Sequence, residues 1–211
     1  MAYNYGDDAV YATNLNPKDA QNLRAEIKIY DFDGKLIDEK VENTSVKANS
    51  LQKVYQLPTN KPLTKVYFLS LKLTDDLGKI IADNFYWLST KKDVSDFKKT
   101  EWFYTPLAEY ADFTDLNKLP KVKLEVEHTI NQVDDKYEVT VKLNNPSDQI
   151  AFLIELNISG DKSGKSVVPI LWDDNYISLV PNESKEIKAT FSLSDLKGEK
   201  PVFKYKGWNI E

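Results

Sequence analysis

The stretch Glu138-Val139-Thr140-Val141-Lys142-Leu143 alternates polar with apolar residues, and Asn144-Asn145-Pro146 closes it. Such an alternation puts Val139, Val141 and Leu143 on one face of a β-strand and Glu138, Thr140 and Lys142 on the other. The closing residues are turn formers. One half-buried strand is thereby defined, and the same period runs outward from it in both directions.

Downstream, Phe152, Ile154, Leu156 and Ile158 alternate, followed by Ile187, Ala189, Phe191 and Leu193. Upstream, Val122, Leu124 and Val126 alternate with Lys123, Glu125 and Glu127. Further back lie Leu69, Leu71 and Leu73 with a turn at Asp76-Leu77-Gly78, and Ala25, Ile27 and Ile29 with a hairpin signal at Asp33-Gly34. Short strands at regular spacing, separated by turn residues such as Ser163-Gly164 and Pro181-Asn182, predict an all-β chain built of antiparallel sandwiches.

A weak internal repeat sets the number of sandwiches. Ala48-Asn49-Ser50-Leu51-Gln52-Lys53-Val54 recurs in kind as Pro181-Asn182-Glu183-Ser184-Lys185-Glu186-Ile187. Val10 to Asn14 resembles Val139 to Asn145, and a second apolar strand follows each. The expectation is two tandem immunoglobulin-like β-sandwiches, at residues 1–92 and 121–211. The segment 93–120 holds Trp102, Phe103, Tyr104, Tyr110 and Phe113. A flexible linker is polar, so this one is expected to be an ordered connector packed between the sandwiches with its aromatics away from solvent; the alternative is an extended first strand of the second domain plus a loop.

The chain has 211 residues, 33 Asp plus Glu against 28 Lys plus Arg, and a pI near 5.1. That balance offers no basic stripe for phosphates, so neither a nucleic acid nor an anionic membrane surface is an expected partner. Cysteine is absent, which removes disulfides and thiolate chemistry. No apolar run is long enough to span a bilayer, and Met1 to Asp8 lacks the pattern of a signal peptide.

Catalytic constellations are not found. His128 is the single histidine and is expected at the end of a strand running from Val122 to Glu127. One His without Cys cannot supply a zinc site. The pairs Asp75-Asp76 and Asp134-Asp135 read as turns capped by their own side chains. No phosphate loop or calcium loop spacing occurs. No catalytic residue, metal or cofactor is therefore expected. One stretch is denser than the rest: Pro169-Ile170-Leu171-Trp172-Asp173-Asp174-Asn175-Tyr176-Ile177-Ser178-Leu179. Trp172, Asp173, Asp174, Asn175 and Tyr176 form a candidate carbohydrate contact, an aromatic face beside hydroxyl-binding groups. The competing reading is strand, tight turn and strand, with Asp174-Asn175 at the left-handed centre and the aromatics in the core. Asn84-Phe85-Tyr86-Trp87-Leu88-Ser89 reads as a core strand, and Trp87, Trp102 and Trp208 are expected to be structural.

These strings also carry a resemblance. Asp83-Asn84-Phe85-Tyr86-Trp87-Leu88-Ser89, Trp102-Phe103-Tyr104-Thr105-Pro106, Tyr110 to Pro120, Trp172 to Tyr176 and Gly207-Trp208-Asn209 resemble, in order, the C-terminal domains of glycoside hydrolase family 2 enzymes of the exo-β-glucosaminidase and β-mannosidase type. The resemblance implies a parent whose (β/α)8 barrel carries two catalytic glutamates and a retaining mechanism, neither glutamate being in this chain. It implies that these sandwiches are non-catalytic accessory domains, that the barrel is their partner, and that carbohydrate is met through the parent, itself periplasmic or secreted. Trp172 is expected to be mostly buried, with Asp173, Asp174 and Asn175 at a domain end that meets the barrel. A free-standing carbohydrate-binding module and a protein-binding sandwich of a surface protein are the alternatives.

Overall fold

A computed structural model describes all 211 residues. Strands hold 55% of them and helices 6%, so the fold class is all-β. The first strands are β1 (Ala2–Asn4), β2 (Ala9–Asn14), β3 (Ala20–Tyr30), β4 (Leu36–Val46), β5 (Ser50–Gln56), β6 (Val66–Thr74) and β7 (Ile80–Ser89). Then come β8 (Val94–Ser95), β9 (Leu107–Glu109), β10 (Glu125–Val133), β11 (Lys136–Asn144) and β12 (Ala151–Gly160). The last are β13 (Leu171–Trp172), β14 (Ile177–Leu179), β15 (Ser184–Ser192) and β16 (Pro201–Lys206). Two compact units form, Met1–Leu119 and Pro120–Glu211.

In the first unit, sheet β1-β2-β5 faces sheet β4-β3-β6-β7, every pairing antiparallel. The alternation read from sequence sets the core: Ala25, Ile27 and Ile29 of β3 pack with Leu69 and Leu71 of β6 and Val10 of β2. Two hairpins use one device. Asp31 Oδ1 accepts from the backbone N–H of Asp33 (3.0 Å) and Lys35 (2.9 Å), and Asp75 Oδ1 accepts from Leu77 (3.0 Å) and Lys79 (2.8 Å). Gly34 and Gly78 supply the positive φ that closes each loop, 79° and 77°. The carboxylates of these loops are thus occupied by their own backbone.

Strand β7 departs from expectation. It is an edge strand of its sheet, and of Asn84 to Ser89 only Leu88 is buried. The connector departs further. β8 pairs with β9, and between them a tight hairpin is held by mutual backbone hydrogen bonds of Glu101 and Tyr104. Trp102 and Phe103 form its tip, ring to ring at 4.8 Å, edge to face. Trp102 is 93% exposed, and Phe97, Phe103, Tyr104 and Tyr110 also face solvent. The segment is ordered by its ladder and by Asp112, which binds Lys65 (2.9 Å) and Thr114. It does not hide its aromatics. Burial was also expected for Trp87 and Trp208; both are substantially exposed, although Trp208 leans edge-on against Phe152.

The second unit sets sheet β10-β11-β15-β13 against sheet β14-β12-β16. Val139, Val141 and Leu143, with Ile187 of the neighbouring β15, face Ile154, Leu156 and Ile158 in its core. His128 sits within β10, opposite Val141, because the strand starts at Glu125 and runs on to Val133; its ring packs on Phe203 at 4.7 Å. Val122 and Leu124 precede the strand, buried.

The repeat is visible atom by atom. Asn14 Nδ2 donates to the carbonyls of Lys18 (2.8 Å), Val46 (3.2 Å) and Lys47 (3.2 Å). Asn145 Nδ2 donates to those of Gln149 (2.8 Å), Leu179 (3.2 Å) and Val180 (3.1 Å). Each side-chain oxygen accepts from the backbone two residues on. Asn49 and Asn182 both take a left-handed conformation, φ 48° and 58°. At the C-terminus a third buried Asn acts alike: Asn209 Oδ1 accepts from Phe152 N (2.9 Å), and Nδ2 donates to Pro120 O (2.7 Å) and Ile150 O (2.8 Å). Gly207 lets this turn close, since a Cβ there would lie 2.3 Å from Ile210 Cγ1.

Candidate functional site

The Trp172–Tyr176 segment is not a hairpin. β13 ends in Trp172 and pairs with β15, whereas β14 begins at Ile177 and pairs with β12 of the opposite sheet. The segment carries the chain across the end of the second sandwich from one sheet to the other. A crossover has no ladder partner of its own, so side chains must tie it down.

Each polar residue does so. Asp173 exchanges two bonds with Lys188 of β15: its N–H donates to Lys188 O, and its Oδ1 accepts from Lys188 N, both at 2.9 Å. Asp174 Oδ2 pairs with Lys185 Nζ at 2.6 Å, and its Oδ1 accepts from Asn175 N at 2.8 Å. Asn175 both accepts from Leu156 N (2.8 Å) and donates to Leu156 O (2.9 Å). An amide donates and accepts at once, so it continues on β12 the ladder that β14 supplies further along. Asn175 Oδ1 also accepts from Tyr176 N at 2.8 Å. The left-handed residue is Tyr176, φ 55°, not Asp174 or Asn175. An aromatic residue seldom adopts that conformation; the Asn175 bond next to it holds it there.

The aromatics diverge. Trp172 is half-buried and packs against the core, while Tyr176 points outward, 61% exposed. The structure brings Asp173, Asp174 and Asn175 together as anchors with Lys185, Lys188 and Leu156, and leaves Tyr176 as the outward group. Sequence reasoning missed Lys185 and Lys188; Glu186 and Lys188 alternate with Ile187 and so mark the polar face of β15, but Lys185 has the parity of the buried residues, and neither gave a hint of which loop crosses it.

Elsewhere carboxylates are bound by local partners. A hydrogen bond from Thr114, followed by one from Lys65, holds the Asp112 carboxyl well below the usual carboxylate range. A hydrogen bond from Tyr55 lowers Asp38. The Asp112 contacts fasten a turn, with Asp115 sharing Lys65, and the Asp38 contact ties β4 to β5.

The class is thus a tandem pair of immunoglobulin-like sandwiches, each latched by a buried Asn. Residues 102–210 match the family described as the exo-beta-D-glucosaminidase Ig-fold domain, and residues 8–93 match the mannosidase Ig/CBM-like domain. The chain belongs to the exo-β-D-glucosaminidase Ig-fold family. It is 34% identical, over 99% of its length and 23% of the relative's, to an exo-beta-D-glucosaminidase of Arthroderma benhamiae. To that of Amycolatopsis orientalis it is also 34% identical, over 99% of this chain and 21% of the relative. The crystal structure of the exo-chitosanase CsxA of Amycolatopsis orientalis superposes with a TM-score of 0.93 at 31% identity, covering 99% of this chain and 25% of that one. The chain spans about a quarter of the length of the relatives it matches.

Proposed function

We propose that these sandwiches are the non-catalytic C-terminal accessory part of a retaining glycosidase of the exo-β-D-glucosaminidase type, with the catalytic (β/α)8 barrel of the parent chain as their partner. In this reading 1–92 and 121–211 are the sandwiches and 93–120 is the connector. The observation that carries it is the Trp102-Phe103 hairpin, a rigid aromatic tip in full solvent. Exposed aromatic surface on an ordered element marks a place where another surface docks, and Trp, Tyr and Phe are the residues enriched at such contacts. Relatives four times as long supply the candidate for that surface. The outward Tyr176, on a backbone conformation that costs energy to hold, is a second contact point. With Trp172, Asp173, Asp174 and Asn175 fixing its position, it reaches the glycan or the barrel rim in the parent.

The test is association in trans. The chain, as wild type and as Trp102→Ala/Phe103→Ala, is mixed with the separately expressed barrel-containing part of the parent, and association is followed by sedimentation. Association that the double substitution weakens supports the reading. A parent reading frame without a barrel, or equal association of both forms, refutes it.

A further inference from the structure

A cavity of about 220 Å3 lies in the first unit, lined by Tyr3, Tyr5, Tyr67 and Phe113 with Asp8 and Asp93. Its walls come from β1 and the turn after it, β6, the end of β7 and the residues before β8 and after β9. Two ties fix the mouth: Asp93 Oδ1 accepts from Ala111 N at 2.7 Å, and Lys92 bonds to Asp8. Tyr3 and Tyr5 meet edge to face at 4.8 Å, so the tyrosine rings form a corner rather than a flat wall.

The decisive residue is Tyr67. It is only 7% exposed, it lines the cavity, and its hydroxyl is not among the side-chain atoms sealed from solvent without a partner, so that hydroxyl is open to a ligand. A tyrosine combines an apolar ring with a polar tip, so Tyr67 offers a ligand both a wall and a hydrogen-bonding hydroxyl. Burial, then the charge of Asp8, pushes its pKa up to about 12, so the hydroxyl stays a donor throughout the neutral range. Tyr3, which is buried to the same degree, donates a hydrogen bond to Asp8 Oδ1 at 2.5 Å.

The chemistry of the lining limits the ligand. Asp8 is neutralised by Lys92 and occupied on both oxygens. Lys91 also lines the cavity and lies near Glu109. Opposed charges at the mouth select no net charge. A ligand that fits must present an apolar face to the rings and hydroxyls that both donate and accept to Tyr67 and the free side of Asp93. The size lies below that of drug-sized pockets. We propose that this cavity binds one pyranose ring of a carbohydrate, with the Tyr67 hydroxyl as a ligand donor and Tyr5 as the stacking wall. The inference concerns the first unit alone, its sandwich with the connector residues Asp93, Ala111 and Phe113, and does not rest on the docking reading, so each can fail without the other.

The test is an amide-resolved NMR titration of the whole chain with D-glucosamine, with D-glucose and with tetramethylammonium as a cation probe. Both sugars should give saturable shifts at Tyr5, Asp8, Lys92 and Asp93, with similar affinity because no charge is read. Tyr67→Phe keeps the ring and removes only the hydroxyl; it should weaken sugar binding about five-fold while leaving the melting temperature unchanged or raised. Tyr5→Ala, at an exposed position, should abolish binding in a folded protein. Absence of saturable shifts with both sugars, tighter binding of tetramethylammonium than of either sugar, or undiminished binding by Tyr67→Phe would each overturn the proposal.

Discussion

Replacing Asn145 with Ala should unfasten the second sandwich while the first keeps its stability. The side chain is fully buried, and its Nδ2 reaches three carbonyls, two of them in the interior at Leu179 and Val180. Its Oδ1 also accepts from Ser147 N and Ser147 Oγ. A buried hydrogen bond contributes about 1 kcal/mol net, and stranding its partner costs more. Removing these bonds should cost about 3 kcal/mol in total. For a domain of this size that lowers the melting temperature by roughly 12–24 °C. Calorimetry should show the transition of the second unit moving down and that of the first staying in place, with Asn14→Ala producing the mirror image. Asn145→Asp sharpens the test. A carboxylate keeps the Ser147 donors on one oxygen but sets its other oxygen against three carbonyl oxygens to which it cannot donate, so burial and that repulsion raise its folded pKa above the ordinary value of about 3.9. The penalty is full above the folded pKa and shrinks as pH falls through it. Asn145→Asp should therefore be less stable than Asn145→Ala at pH 7 and recover relative to it in acid. A drop of less than about 4 °C for Asn145→Ala, or an Asp variant as stable as Ala at neutral pH, would refute the latch.

Three further outcomes are expected. Trp102→Ala should leave stability within about 0.5 kcal/mol of wild type in urea titration, against the roughly 3–5 kcal/mol of a buried Trp, because the ring is 93% exposed. Asn175→Ala strips both the donor and the acceptor from Leu156 on β12 and should cost about 2–3 kcal/mol by the same assay, whereas Tyr176→Ala should cost little of the fold. Asp112, Asp115 and Asp38 all have depressed folded pKa values; their contribution is full above the unfolded value of about 3.9 and is lost as pH falls below it. The urea midpoint should accordingly drop between about pH 4 and pH 2, and Asp38→Asn with Asp112→Asn should flatten that drop.

The sequence by itself determined what local order determines. Period two along Glu138 to Leu143, Ala25 to Ile29 and Leu69 to Leu73 decided the fold class, because alternation alone assigns a strand its buried face. Asp33-Gly34 and Asp76-Leu77-Gly78 announced their turns, because the left-handed glycine and the capping carboxylate act within five residues of chain. The likeness of the two Asn-bearing segments marked the repeat. Which sheet each strand joins was decided only by the tertiary structure. Trp172 and Ile177 lie five residues apart and alternate like two arms of a hairpin, yet they belong to opposite sheets. The crossover depends on Leu156, Lys185 and Lys188, residues that no local pattern connects to it. The same holds for the aromatics. Composition marks Trp87, Trp102 and Trp208 as core residues, but burial needs a surface to be buried against, and that surface is set by the packing of distant strands. β7 proved to be an edge, and the Trp102 hairpin proved to stand clear of both cores.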